Sequence, residues 1–166
     1  MEYGLLLLRL VVGLTLAAHG AQKLFGWFGG YGLAGTGGWL ESLGFRPGRL
    51  QATLAGSGEL FGGLLLALGL LTPIGAALII AVMFVASRTV HRGKGFFATA
   101  GGSELVFVLG AVALGLAITG PGRLSLDAAL GIDYSPTQGA AAALLLGLLG
   151  GVGALVTRTR APAEAH

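Results

Sequence analysis

The chain has 166 residues, 54% of them hydrophobic and 10% charged, against about 25% charged in a soluble domain. That balance excludes an ordinary soluble protein and reads as an integral membrane protein, while a net charge of +3 without a basic stripe interleaved with aromatics offers no nucleic-acid surface. With no cysteine, the chain acting alone has no thiol–disulfide chemistry, iron–sulfur ligation or cysteine-ligated zinc.

The first apolar run, from about Tyr3 to Phe28, is long enough to span a bilayer with tilt. Its start carries Glu2 and no cation before Arg9, and it runs on past any small-residue cleavage site, so it is expected to be a retained span rather than a leader. Residues 29–49 are dominated by glycine and hold no spanning run. Within them, residues 36–45 carry Trp39, Leu40, Leu43 and Phe45 and suggest a short interfacial helix. Trp27 and Phe28 fit the same aromatic belt, as do Phe96 and Phe97 further on.

From Leu50 to Arg88 the chain is apolar except around Thr72-Pro73. One helix of that length would be roughly 57 Å, nearly twice a bilayer core, so a hairpin is expected. Helix two covers 50–71 and helix three 73–90, with Thr72 as N-cap and Pro73 at the first helical position. Residues 91–102 form a polar connection, helix four covers 103–119, and a further connector leads to a fifth helix at about 138–157 and a short basic tail. The expected fold is all-α: a polytopic membrane bundle with a four-helix core in residues 1–130, and a fifth transmembrane helix within 131–166. Glycine, at 32 residues, suits close helix contacts and makes helix-mediated homo-oligomers plausible. The side holding Arg46, Arg49, Arg88, Arg92, Lys94, Arg158 and Arg160 outweighs the side holding Arg123 and Arg9, which predicts an outside N-terminus and a cytoplasmic C-terminus.

Ionisable groups at membrane depth cost several kcal/mol and face the bundle. His19 and Lys23 stand at i, i+4, and Arg9 lies within about 40° of their face. Glu59 has Ala55, Gly56, Gly62 and Gly63 as same-face neighbours, which leaves room for a helix or a ligand. Arg88 and His91 stand at i, i+3, and Glu104 opens helix four, where the helix dipole favours a carboxylate. All but Arg9 belong to one half of the bundle. Two readings stay open for the cluster: a structural clamp of Glu59 with Lys23 or His19, or a ligand site. In the second, Glu59 and His19 are the candidate catalytic groups, and Arg9, Lys23, Arg88, His91 and Glu104 the candidate substrate-binding ones. No close-spaced ligand motif assigns a metal.

Arg9, His19-Gly20, Lys23, Glu59, Gly62-Gly63, Thr72-Pro73, His91 with GKGFF, Gly101-Gly102, Glu104 and GPGRLSLD (residues 120–127) together resemble the DoxX family of small membrane proteins, over about residues 3–130. The resemblance implies a prokaryotic four-helix membrane module. Some members are subunits of a thiosulfate:quinone oxidoreductase, others are proposed partners in membrane redox complexes that handle thiols and oxidative stress, and the wider clan includes a eukaryotic cargo receptor. It therefore implies a redox subunit in the cell membrane, with a membrane quinone as cofactor and a soluble or membrane redox protein as partner. A non-catalytic anchor or assembly module is the alternative, and a small transporter or receptor the third reading.

Overall fold

The computed structural model describes residues 1–159, so Arg160 and the rest of the basic tail lie outside the described residues. Among the described residues the fold is all-helical, with helices α1 (Glu2–Phe25), α2 (Gly32–Ser42), α3 (Gly48–Leu68), α4 (Thr72–Thr89), α5 (Glu104–Thr119), α6 (Leu126–Ala129) and α7 (Pro136–Val156). α1, α4 and α7 are long and apolar enough to cross a membrane. α5 is apolar but has 16 residues, and α3, with 21, is diluted by glycine, Arg49, Gln51, Ser57 and Glu59. These two take their places through packing, α3 between α1 and α4, and α5 against α4 and α7. Large apolar side chains such as Leu7, Val11, Phe61, Leu145 and Leu149 stay exposed, as lipid-facing residues do. The chain is a multi-pass membrane protein.

Glycine sets the closest helix contacts. A Cβ on Gly20 would stand 2.4 Å from the Leu60 nitrogen, and one on Gly63 2.4 Å from the Gly13 carbonyl oxygen, so α1 and α3 touch backbone to backbone. α7 repeats the device with Gly139, Ala143, Gly147 and Gly151, spaced by four and all buried. A Cβ on Gly139 would lie 2.0 Å from the Ala117 oxygen of α5, and one on Gly147 2.8 Å from Ile80 of α4. Between the helices Leu16, Leu66, Ile79, Met83, Leu116 and Ala143 form the core.

Several boundaries differ from the sequence expectation; helix two, for one, ends at Leu68 rather than 71, where Gly69 turns left-handed (φ 62°). The first helix ends at Phe25, not Phe28, because Gly26 takes the left-handed conformation (φ 73°) and its N–H closes on the Gln22 carbonyl. Thr72 is not the N-cap of α4 but its first residue; Leu71, at φ 44°, stands before it. The capping acceptor comes from far along the chain. Asp127, 1% exposed, accepts from the Leu71 N–H at 2.7 Å, the Thr72 N–H at 3.1 Å and the Thr72 hydroxyl at 3.0 Å. α7 begins two residues before the expected 138, with Pro136 in its first turn behind a capping box of Ser135 and Gln138.

Tertiary hydrogen bonds define the two ends of the bundle. At one end Arg158 Nε donates to the Leu43 carbonyl at 2.6 Å, and the Thr159 N–H to that of Gly44 at 2.9 Å, tying the exit of α7 to the α2–α3 turn. At the other, Glu2 accepts from the Arg123 N–H, and the Asp127 N–H donates to the Gly69 carbonyl at 2.8 Å.

Candidate functional site

The close approach of α1 and α3 at Gly20 and Gly56 carries Lys23 to Glu59. A Cβ on Gly56 would meet Leu24 at 2.8 Å and the Lys23 Cβ at 3.2 Å. At that spacing Lys23 Nζ donates to Glu59 Oε2, an ion pair whose side chains are 26% and 6% exposed. It is the only ion pair among the described residues. A carboxylate this buried is tolerable only with a hydrogen-bonding cation beside it.

The pair borders a cavity of about 270 Å³ enclosed by α1, α2, α3, α4 and α5. His19 and His91 also line it, with Leu16, Met83 and Leu109 as apolar wall. His91 Nδ1 lies 2.7 Å from the Gly101 carbonyl. A carbonyl oxygen only accepts, so Nδ1 carries the proton and Nε2 is left to exchange one. His19 is exposed and makes no hydrogen bond among the described residues.

Of the seven residues singled out from sequence, the cavity thus gathers four: His19, Lys23, Glu59 and His91. Arg88 faces elsewhere, its guanidinium 5.4 Å above the Phe84 ring. Glu104 opens α5 as expected, but its Oε2 accepts from the Ala98 N–H at 2.9 Å and braces the loop before it. Arg9, 1% exposed, belongs to the opposite end. It donates from Nη1 to the Pro121 carbonyl and from Nη2 to that of Leu124 at 2.7 Å, while its Nε has no partner.

α2 supplies wall residues that were not among the candidate site residues: Thr36, and Trp39, which the sequence marks only as an interfacial aromatic. Thr36, buried, and Trp39 border the cavity and, with Lys23, an outer cleft of about 580 Å³ beside α2. α2 is held in place by Glu41, whose Oε1 accepts from the Gly48 N–H at 2.8 Å and caps α3. The signal for Thr36 was a β-branched polar residue within a glycine run. A third space, an apolar groove of about 470 Å³ bordered by α3, α4 and α7, shares Leu40, Phe45, Val82 and Val85 with the cavity wall. The cavity thus shares wall residues with a cleft beside α2 and with an apolar groove beside α7.

A family model described as DoxX matches residues 4–92, more than half of the chain. The protein belongs to the DoxX family. The match takes in α1 to α4 and with them His19, Lys23, Glu59 and His91, the four residues that meet at the cavity. Glu104, GPGRLSLD and α7 lie beyond the matched stretch. No curated protein and no solved structure matches this DoxX chain.

Among the residues missed from sequence, Asp127 is the most connected. Besides capping α4 it takes a hydrogen bond from the Tyr134 hydroxyl at 3.3 Å. Burial, with the Asp127 charge adding to it, pushes the Tyr134 phenol up to about 12. This polar knot closes the end of the DoxX bundle that holds Arg9, and nothing in it lines the cavity.

Proposed function

We propose that the protein is the membrane subunit of a quinone-linked redox complex of the thiosulfate- or thiol-oxidising type, with the Lys23–Glu59 cavity as its site. The observation that carries the reading is a buried ion pair and two histidines in one cavity, whose wall residues Leu40, Phe45, Val82 and Val85 also border an apolar groove. The cavity, at about 270 Å³, sits just below the roughly 300 Å³ at which small-molecule sites begin. Its size suits one ring and no tail, and the groove toward α7 offers an apolar course for a tail. A bound quinone would supply the two-electron chemistry that no side chain here can provide.

The chain's own residues bind and move protons. Lys23 Nζ and an imidazole N–H are the donors for a ring oxygen. Glu59 and His91 Nε2 pass protons to and from the cavity. His19, the most exposed of the four, links that proton path to the surface of the bundle. The electrons enter from a soluble or membrane partner protein. The same reading places the chain in a prokaryotic cell membrane, with the N-terminus outside and the cation-rich end in the cytoplasm.

The test is quinone reduction by the reconstituted protein with thiosulfate or a thiol donor and the co-purified partner. Glu59→Gln and His19→Ala are expected to lower the rate at least tenfold; an unchanged rate in both removes the site. A reporter fused after His166 that is found outside reverses the orientation.

A further inference from the structure

The end of the bundle that holds the cavity also holds an open basin of about 1050 Å³, on a second face of α4. Arg88, Arg92 and Arg158 line it, with the hydroxyl-bearing Ser87 and Ser103, and no carboxylate among the described residues does. None of these arginines has an ion-pair partner among the described residues. Two are held in position. Arg88 stacks over Phe84, while Arg158 lies 5.7 Å above the Phe45 ring with its Nε tied to the Leu43 carbonyl. Like charges gathered without a counter-charge repel one another, and an anion between them relieves this.

The basin does not end in polar surface. Phe84, Ser87, Arg88 and Ser103 are shared with a groove of about 700 Å³ that runs between α4, α5 and α7. Its walls are apolar: Met83, Val106, Leu114, Leu144 and Leu148. Leu114 stands ten residues along α5 from Glu104, roughly 15 Å at 1.5 Å per residue, or about half of a 30 Å hydrocarbon core. The groove is thus about one leaflet deep, with its cationic mouth at head-group level.

We propose that this is a binding site for an anionic phospholipid. The phosphate lies among Arg88, Arg92 and Arg158, and one acyl chain lies along the groove between α5 and α7. Guanidinium groups suit phosphate oxygens because their N–H donors form a fork of matching geometry. A free phosphate has the same head chemistry but would leave the groove uncovered. Arg158 and the α7 wall lie outside the stretch matched by the family model, so the site depends on the C-terminal helix. It shares His91 with the redox cavity, but the Lys23–Glu59 pair is not part of its lining and none of its three arginines has a part in the redox reading.

The experiment uses the full chain in detergent, stripped of lipid and titrated by native mass spectrometry. The probes are phosphatidylglycerol, phosphatidylcholine of equal chain length, and inorganic phosphate. One phosphatidylglycerol per chain is expected to bind at least tenfold more tightly than either of the others. Arg88→Gln/Arg92→Gln/Arg158→Gln is expected to abolish that preference, and Arg123→Gln, at the other end, to keep it. Arg92→Gln alone, on an exposed loop, is expected to cut it several-fold and serves if the triple variant fails to fold. Equal binding of the two lipids, or a preference that survives the arginine substitutions, overturns the proposal. Phosphate binding as tight as the anionic lipid assigns the basin to a free anion and overturns the lipid.

Discussion

Asp127 caps a helix that begins 55 residues before it, one carboxylate oxygen accepting from both the N–H and the hydroxyl of Thr72. The turn from α3 to α4 is thereby fastened to the segment that follows α5. Asp127→Ala strands two helix-start N–H groups in a buried place, at an expected cost of about 1–3 kcal/mol. Asp127→Asn keeps an acceptor and costs less. Thermal unfolding in detergent reads both, and an unchanged midpoint for the alanine variant removes the cap.

Lys23 and Glu59 are predicted to be strongly coupled. Each of Lys23→Met and Glu59→Gln leaves a buried partner uncompensated and destabilises by about 1–3 kcal/mol, less than a fully buried pair because Lys23 is partly exposed. The double substitution recovers much of the loss. A double-mutant cycle with no interaction energy rejects the pair as a contributor to stability.

Two glycine contacts are predicted to fail in different ways. Gly20→Leu drives α1 from α3 and parts Lys23 from Glu59, so both stability and the proposed redox rate fall. Gly139→Leu meets the Ala117 carbonyl and displaces α7 by about 1–3 kcal/mol of overpacking, while the cavity walls on α1 to α5 stay in place. A Gly139→Leu protein that loses quinone reduction as fully as Gly20→Leu contradicts this division.

Alkaline pH should act on the Asp127–Tyr134 knot. Tyr134 begins to lose its proton near 10 in the unfolded chain and near 12 in the folded one. The folded state therefore holds the proton more tightly. The resulting stability is present below pH 10 and is lost as pH rises from 10 to 12. Tyr134→Phe is expected to flatten that part of the stability–pH curve in circular dichroism, and an unaltered slope rejects the assignment.

The sequence made the helices and the ends of the bundle legible, because long apolar runs broken by glycine and proline have few other readings. His19, Lys23 and Glu59 could be brought together in advance, since depth and helical spacing left them one half of the bundle. Arg88 and Glu104 share that half but turn away from the cavity. Rotation about a helix axis depends on which neighbours pack where, and α7 and the 91–102 loop decide it for them. Asp127 could not be placed, because a capping bond across 55 residues leaves no periodic trace. Thr36 and the inward turn of Trp39 were not legible for a related reason, since a short glycine-rich helix shows no clear apolar stripe to announce which face it turns inward.

Arg9 enters the membrane long before its partners exist. The carbonyl of Pro121 is 112 residues further along and that of Leu124 is 115. At a synthesis rate of about 5–20 residues per second the guanidinium waits roughly 6–20 s. Through that interval its charge must be satisfied by lipid head groups, water or the insertion machinery. The first helix can thus reach its final depth only when the loop after α5 arrives, and the end of the bundle that holds Arg9 stays open until then.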